Sequence, residues 1–490
     1  MNRTTAPLLF CLVLATLPAV AAAPPDIIEG AAPVVPLGNT VVQIGNPDAA
    51  VPGSPAPAPP AVLRDVGSSC LGSWQVSGGT PRRDCRSDEL GPTTADLLWS
   101  DGRYSVIAWQ PITDGDKVFM VRQTQSGSAP EGSPVVAMDL ATGAELWAVH
   151  IPYEAGDWTT WIAAAHSGLV FTSRSGNGAS VSAKIYALSQ EDGSVVWASE
   201  DEVVAGAYDG VVLAPDGDLL VGDFTKVMRI DAEDGSTVWN VPRGDPGHPS
   251  SCSVSGSCGG ATFGDAVYVA NAAGGGHVIA RHDLATGAWQ YSSPVMPGFT
   301  LQNTPFVGPD GTVYLSRTQN NVSVDYFYAF EDTGTTLVER WHVPAAWTTN
   351  SEFAVAADGS PFMFAPGYEL VRLDPATGAT VDSAGAFPEC TYGIRMAIDG
   401  NGTFSFGNGA FPPYQGRLRV FDANLDPLWD TPVNNINIGG PAIGHGGALV
   451  VCGISTDVRV YRPEPSVPVC LPFTDGFESG DTSAWSATVP

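Results

Sequence analysis

Short apolar strands that follow a glycine-containing turn recur along the sequence. Eight copies occur: TDGDKVFMV, HSGLVFTS, PDGDLLVG, FGDAVYVA, PDGTVYLS, ADGSPFMF, DGNGTFSF and HGGALVVC. The seven steps from Gly115 to Gly446 average about 47 residues, a period typical of repeated small β-sheets. Apolar residues at helical spacing do not accompany the copies, so the pattern predicts an all-β fold.

A second pattern interleaves with the first and predicts a β-hairpin in each repeat. Seven copies occur: VVAMDLATGAELW, IYALSQEDGSVVW, VMRIDAEDGSTVW, IARHDLATGAW, YFYAFEDTGTTLVERW, LVRLDPATGATV and RVFDANLDPLW. Each joins an alternating strand to a second strand through a turn rich in Asp and Gly. Trp147, Trp197 and Trp239 each stand eight residues after the residue that opens the turn. We therefore expect these three indoles to fill equivalent spaces between neighbouring sheets.

The two patterns together give four strands per repeat and predict an eight-bladed β-propeller of four-stranded antiparallel blades over residues 94–463. The eighth repeat contains the strand VRVYR, but no tryptophan hairpin follows it before Pro463. Leu97, Leu98 and Trp99 precede the first repeat and have the character of the missing strand. We expect this N-terminal strand to complete the last blade and to remove an exposed sheet edge.

The repeats, most clearly DLATGAELW and DPATGAT, resemble the PQQ-like (quinoprotein-type) propeller repeat. The resemblance implies an eight-bladed propeller, a fold shared by quinoprotein dehydrogenases and by non-enzymatic BamB-like members, and the fold does not choose between them. The dehydrogenases carry adjacent cysteines beside the quinone, and acidic and amide ligands to calcium. This sequence has no Cys-Cys dipeptide, and the calcium ligands cannot be placed on it. It therefore stands nearer to the BamB-like members, and PQQ with calcium is expected only if the chain is a quinoprotein.

Other catalytic signatures are absent from the sequence, which contains no GxSxG, GxGxxG, Walker lysine or HExxH motif. Asp216, Asp218 and Asp310 have a type of side chain that binds calcium. Each stands in a repeated hairpin turn, where Asp-Gly is favoured for its backbone geometry. We interpret all three as turn residues and predict no catalytic residue, no metal site and no bound cofactor.

Strand alternation places the tight turns on one face of the ring and the longer, more variable loops on the other. Five aromatic residues belong to these long loops: Tyr153, Trp158, Trp347, Phe411 and Tyr414. Irregular loops on a rigid scaffold are usual places for binding, so we expect a protein or glycan partner on the long-loop face. The alternative is that these side chains cover the interiors of their own loops.

The two ends of the chain differ from the repeats. Arg3, the apolar stretch Leu8–Leu17 and the small residues Ala19 to Ala21 predict a signal peptide over residues 1–21. Residues 22–63 read as a disordered tether rich in Pro and Ala, and residues 64–93 as a small cysteine-stapled segment. Residues 464–490 form a tail that contains DGFESGDTSAW, which is either a sorting signal or an inert end.

Cysteines in an exported protein favour disulfides. The close pairs Cys70 with Cys85 and Cys252 with Cys258 predict two local bridges. Three more cysteines, Cys390, Cys452 and Cys470, allow one further bridge, for which we favour a pairing through Cys452.

Charge and hydropathy limit the possible partners. The formal net charge is −29 and the pI is near 4.3, so nucleic acid is not an expected partner. The mature sequence has no apolar run long enough to span a bilayer. We expect an exported monomer, extracellular, at the cell surface or periplasmic. The favoured function is a non-enzymatic binding scaffold; the alternatives are a PQQ-dependent alcohol or sugar dehydrogenase-like oxidoreductase and a passive surface protein.

Overall fold

The computed structural model describes a chain folded almost entirely into β-strands. The described residues are 74–101, 110–122, 134–152, 159–175, 182–204, 210–244, 259–273, 276–297, 304–317, 324–346, 353–390, 394–408, 416–433, 436, 439–453 and 457–463. Within these ranges, the strands form eight antiparallel sheets, and each sheet is one blade of a ring. The prediction of an all-β, eight-bladed propeller is confirmed.

The four strands of each blade follow one another from the inner to the outer edge of the sheet. Blade 1 contains β2 (Ile112–Asp114), β3 (Lys117–Val121), β4 (Val135–Asp139) and β5 (Glu145–Val149). Blade 2 contains β6 (Thr159–His166), β7 (Leu169–Ser175), β8 (Ser182–Ser189) and β9 (Val195–Val204). Blade 3 contains β10 (Val211–Leu213), β11 (Leu219–Gly222), β12 (Lys226–Ile230) and β13 (Thr237–Pro242). Blade 4 contains β14 (Gly260–Phe263), β15 (Ala266–Ala273), β16 (Gly276–Asp283) and β17 (Trp289–Ser292), with β18 (Met296–Pro297) also paired to β16.

The second half of the ring follows the same order. Blade 5 contains β19 (Phe306–Val307), β20 (Val313–Arg317), β21 (Val324–Asp332) and β22 (Leu337–Ala346). Blade 6 contains β23 (Ala354–Val355), β24 (Pro361–Ala365), β25 (Glu369–Leu373) and β26 (Thr380–Ala386). Blade 7 contains β27 (Arg395–Ile398), β28 (Phe404–Gly407), β29 (Arg417–Phe421) and β30 (Pro427–Pro432). Blade 8 contains β31 (Ala442–Ile443), β32 (Leu449–Cys452), β33 (Val458–Tyr461) and, from the N-terminal side, β1 (Leu97–Asp101).

The N-terminal strand closes the ring. Strand β1 pairs antiparallel with β33, and Trp99 stands opposite Val460 while Asp101 stands opposite Val458. Blade 8 therefore has its fourth strand from the other end of the fold, as the sequence predicts. The pairing satisfies backbone groups that would otherwise form an open edge.

Most neighbouring blades are joined by a tryptophan of one blade and a turn of the next. The indole N–H groups of Trp147, Trp197 and Trp239 donate to backbone carbonyls of the following blade over 3.0–3.1 Å. All three rings are buried. A Cβ atom added at Gly235 would lie 2.6 Å from the Trp197 ring, so the glycine allows the indole to lie flat on the turn.

The joint between blades 4 and 5 departs from this rule. Trp289 stands two positions earlier than the pattern requires, and it donates its N–H to Ser292 Oγ within its own blade. Tyr291 takes the expected position, eight residues after Asp283, and donates its hydroxyl to Asp332 Oδ1 of blade 5 over 2.5 Å. Tyr268 and Arg281 of blade 4 also donate to Asp332, so one carboxylate replaces the indole joint.

The joint between blades 6 and 7 also lacks a tryptophan, because β26 contains none. Phe362 stacks on Phe404 with 4.7 Å between the ring centroids. Phe387, which follows β26, packs on Phe406 and lies 5.0 Å from the guanidinium of Arg419. Aromatic contacts therefore join these two blades in place of an indole hydrogen bond.

The structure corrects one expectation about the cysteines. Cys390 and Cys452 are buried free thiols, so a bridge through Cys452 is not formed. Cys452 ends β32 and packs among apolar side chains of blades 8 and 1, a cluster that contains no other cysteine. Burial raises the pKa of both thiols above the ordinary value. Cys85 is also buried, whereas Cys70, Cys252, Cys258 and Cys470 lie outside the described residues, so the two local bridges remain predictions.

Candidate functional site: the propeller axis and its belt

Residues 74–92 precede the first blade and form what we call the axial belt, whose first part, residues 74–87, follows the inner strands in the central channel of the propeller. Its carbonyl oxygens accept backbone N–H bonds from inner strands of six blades over 2.8–3.0 Å. The donor and acceptor pairs are Thr113 with Trp74, Ala165 with Gln75, Thr262 with Pro81, Val307 with Arg82, Val355 with Asp84, and Ile398 with Cys85. The belt thus follows blades 1, 2, 4, 5, 6 and 7 in their order around the ring.

Arg83 connects the belt to blade 3, one of the two blades that this backbone series omits. Its side chain is 3% exposed and donates to the carbonyl oxygens of Val211 in blade 3, Gly260 in blade 4 and Ser77 in the belt. Asp84 is fully buried and accepts from Thr80 Oγ1 at 2.6 Å and from Arg82 Nη2 at 2.7 Å. The belt therefore has internal polar contacts as well as contacts to the blades.

The end of the belt meets blades 7 and 8. The backbone N–H of Gly91 donates to Asp399 Oδ2 at 2.8 Å, and burial raises the pKa of this carboxyl group. A Cβ atom at Gly447 of blade 8 would lie only 1.8 Å from the Leu90 carbonyl oxygen, so the belt packs tightly against that turn. The chain has left the channel by Pro92, which lies beside Trp429 of the outer strand β30, and it then reaches β1.

The belt occupies the channel at the level of the tight turns. Every inner-strand residue that donates to it is the last or second-to-last residue before such a turn. A planar ligand on the axis at this level would have to displace a segment held by many hydrogen bonds. No group of three His, Cys, Asp or Glu side chains within the described ranges could hold a metal ion. The residues at this level of the axis do not fit a quinone with its calcium ion.

The turn aspartates singled out in the sequence have protein partners. Asp218 Oδ2 accepts from Arg229 Nε at 2.7 Å, and Asp216 also pairs with Arg229. Asp310 accepts from the backbone N–H and the hydroxyl of Thr312, which closes its turn. The three carboxylates therefore lie in two turns, one in blade 3 and one in blade 5, as part of the hairpin geometry.

The five predicted aromatic loop residues, Tyr153, Trp158, Trp347, Phe411 and Tyr414, lie outside the described residues. Of the sequence-predicted site residues, Trp147, Trp197 and Trp239 lie at joints between blades. Sequence reasoning missed the axial belt, because the segment WQVSGGTPRRDC has no alternating pattern that would mark it as part of the propeller. In the part of the chain that the structure describes, no helix is long and apolar enough to cross a membrane.

The closed ring of four-stranded blades defines a β-propeller protein. A family model described as "Outer membrane protein assembly factor BamB" matches residues 131–384, just over half of the sequence. The chain therefore belongs to this PQQ-like repeat family. No curated protein matches the sequence significantly.

Solved structures that are similar to this chain have low sequence identity to it. A europium-containing methanol dehydrogenase has a TM-score of 0.54 at 13% identity, over 79% of this chain and 90% of its own. BamB from Moraxella catarrhalis has a TM-score of 0.47 at 15% identity, over 76% of this chain and 98% of its own. The Dos1 propeller has a TM-score of 0.49 at 13% identity, over 75% and 94%. At such identities the likeness to the methanol dehydrogenase shows the fold alone.

Proposed function

We propose that this protein is an exported, non-enzymatic propeller that acts as a binding or interaction scaffold at the cell envelope or outside the cell. The axial belt is the observation that carries the proposal. It fills the tight-turn end of the channel with the chain's own backbone and so leaves no space for an axial cofactor at that level. The surfaces that remain for partners are the long-loop face and the outer faces of the blades.

The charge of the chain and its predicted signal peptide support the same proposal. A net charge of −29 keeps a protein soluble and repels anionic polymers, which suits a protein that meets neutral or cationic partners. The signal peptide predicted over residues 1–21 supports export. The family description names an outer-membrane assembly factor, and an envelope location is compatible with it.

The test separates a scaffold from a quinoprotein. Purified mature protein is incubated with PQQ and calcium and passed through a desalting column, and its absorption spectrum and dye-linked oxidation of alcohols and sugars are measured. We expect neither retained quinone nor turnover, while a quinoprotein dehydrogenase treated identically gives both. Stoichiometric quinone or clear turnover would overturn the scaffold proposal. A pull-down from envelope extracts distinguishes a scaffold, which retains a specific partner, from a passive surface protein, which retains none.

A further inference from the structure

The outer hairpin of blade 5 extends beyond the blade that covers it. Its strands β21 and β22 contain nine and ten residues, whereas the outer edge of blade 4 consists of β17 with four residues and β18 with two. Phe330, Tyr328 and Tyr326 alternate along β21 on the face directed toward blade 4. The exposed fractions of these three side chains are 0%, 5% and 38%, respectively, so blade 4 no longer covers β21 at Tyr326.

Two polar side chains of β22 accompany Tyr326 where the cover ends. The rings of Tyr326 and His342 are perpendicular, with 5.1 Å between their centroids, and Tyr328 lies 5.3 Å from His342. His342 Nδ1 lies 2.6 Å from Glu339 Oε1, a contact that fixes the imidazole. The side chains of His342 and Glu339 are 46% and 36% exposed. An aromatic ring, an imidazole and a carboxylate therefore share one open surface.

We propose that Tyr326, His342 and Glu339 form a binding site for a neutral saccharide. A pyranose offers a flat C–H face that packs on an exposed aromatic ring, and its hydroxyl groups suit a carboxylate acceptor and an imidazole nitrogen. A few polar groups beside an apolar platform are typical of small-ligand sites. This proposal names a ligand class for the proposed scaffold and rests on that function.

The arrangement of the rings and the charge of the chain disfavour ionic ligands. Recognition of a quaternary ammonium ion uses ring faces that enclose the cation. Here Tyr326, Tyr328 and His342 contact one another directly and leave no cage between them. An anionic ligand would approach against the net charge of −29 and the carboxylate of Glu339. A neutral ligand that stacks on an open surface avoids both difficulties.

The experiment uses the mature full-length chain and three neutral probes: maltopentaose, cellopentaose and chitopentaose. Binding is measured by isothermal titration calorimetry, with each pentasaccharide up to about 10 mM, a range that detects millimolar dissociation constants. We expect at least one probe to bind. Tyr326→Ala should weaken that binding by about tenfold or more, while Tyr326→Phe keeps the ring and stays within about threefold. Glu339→Gln should weaken it to an intermediate extent, because the amide is a poorer acceptor than the carboxylate.

Val338→Ala is the matched control, because Val338 is 45% exposed on the same strand but on the opposite face. It should leave the affinity unchanged, and thermal unfolding should show that every variant is folded. Absence of binding by all three probes, or equal affinity of the wild type and Tyr326→Ala, would overturn the saccharide site. Tyr326-dependent binding of a proline decamer in place of the saccharides would also overturn it, since the surface would then recognise an extended peptide. None of these failures affects the quinone test, so the scaffold proposal is judged separately.

Discussion

The indole N–H of Trp429 donates to the carbonyl oxygen of Pro92 over 3.2 Å, although the two residues are 337 positions apart. At five of the eight joints the acceptor of the tryptophan is a hairpin turn of the next blade. Blade 8 has no such turn, because its third and fourth strands come from opposite ends of the fold. The end of the axial belt therefore supplies the acceptor that a hairpin supplies elsewhere.

The indole joints predict a graded loss of stability. Trp197→Phe removes the hydrogen bond to Ala232 and part of the ring contact, and should lower the free energy of unfolding by about 1–2 kcal/mol. Trp197→Ala should lower it by about 3–5 kcal/mol. Trp289→Phe is the control, because Trp289 is only half-buried and its bond to Ser292 stays within one blade. Equal losses in the free energy of unfolding for Trp197→Phe and Trp289→Phe, measured by urea unfolding, would contradict the role of Trp197 in joining blades 2 and 3.

Alanine substitutions at two glycines distinguish the energetic cost of a steric clash from that of backbone strain. Gly235 has a φ of +78° and a Trp197 ring atom 2.6 Å from the position of an added Cβ. Gly264 has a φ of +58°, and no atom lies within 4 Å of that position. Gly264→Ala should cost about 1–2 kcal/mol from the left-handed backbone alone. Gly235→Ala should cost about 1–3 kcal/mol more, because the indole must move. Equal unfolding midpoints for the two variants would show that the turn and indole do not pack as described.

Arg83 tests whether the axial belt stabilises the ring. Arg83→Met keeps the apolar part of the side chain but removes the donors to Val211, Gly260 and Ser77. We expect a loss of about 3–5 kcal/mol in the free energy of unfolding, since three buried carbonyl oxygens lose a charged donor. Arg417→Met, which breaks a partly exposed pair with Asp430, should cost less than about 1 kcal/mol. Similar chemical denaturation curves for the two variants would mean that the belt is dispensable.

The joint between blades 4 and 5 predicts a loss of stability at alkaline pH. Burial, together with the hydrogen bond to Asp332, raises the pKa of Tyr291 well above its ordinary value. The folded state then keeps a proton that the unfolded state releases above about pH 10, so the free energy of unfolding falls as pH rises past that point. Removing the phenol in Tyr291→Phe should reduce this slope by up to about 1.4 kcal/mol per pH unit.

Trp197→Phe is the control for the alkaline experiment, because it also lowers stability but keeps every phenol. In urea unfolding between pH 8 and about pH 11, the free energy of unfolding of this variant should be lower than that of the wild type at every pH. It should fall with rising pH as steeply as the wild-type value does. A wild-type slope in Tyr291→Phe would show that Tyr291 does not titrate differently in the folded and unfolded states.

The ring could be predicted from the sequence because each blade repeats a local signal. The turn and strand copies around Gly115 and Gly446, and the hairpins that contain Trp147 and Trp197, depend on neighbouring residues and on alternation. Closure by Leu97 could be inferred because one blade lacked a strand. These inferences required no knowledge of distant contacts.

The axial belt and the surface on blade 5 could not be predicted in the same way. The belt is held mainly by hydrogen bonds to its backbone carbonyls, such as those of Arg82 and Asp84. Because nearly every residue type carries the same backbone groups, such bonds to distant strands cannot be predicted from the pattern of side chains. Tyr326 belongs to an alternating strand and so reads as a core residue. Its exposure depends on how far blade 4 reaches, which periodicity does not encode.

Because of the axial belt, the first residues of the fold cannot complete their contacts until the last strands have been synthesised. Ribosomes make Trp74 to Pro92 before any blade, yet this segment finds its acceptors and donors only as blades 1 to 8 emerge. The first residues of the fold must therefore stay available until the last strands, β33 and its neighbours, have been made. A nascent chain interrupted at any blade has an incomplete ring and an unsatisfied beginning, so we expect premature products to be cleared by proteases and not to accumulate as smaller propellers.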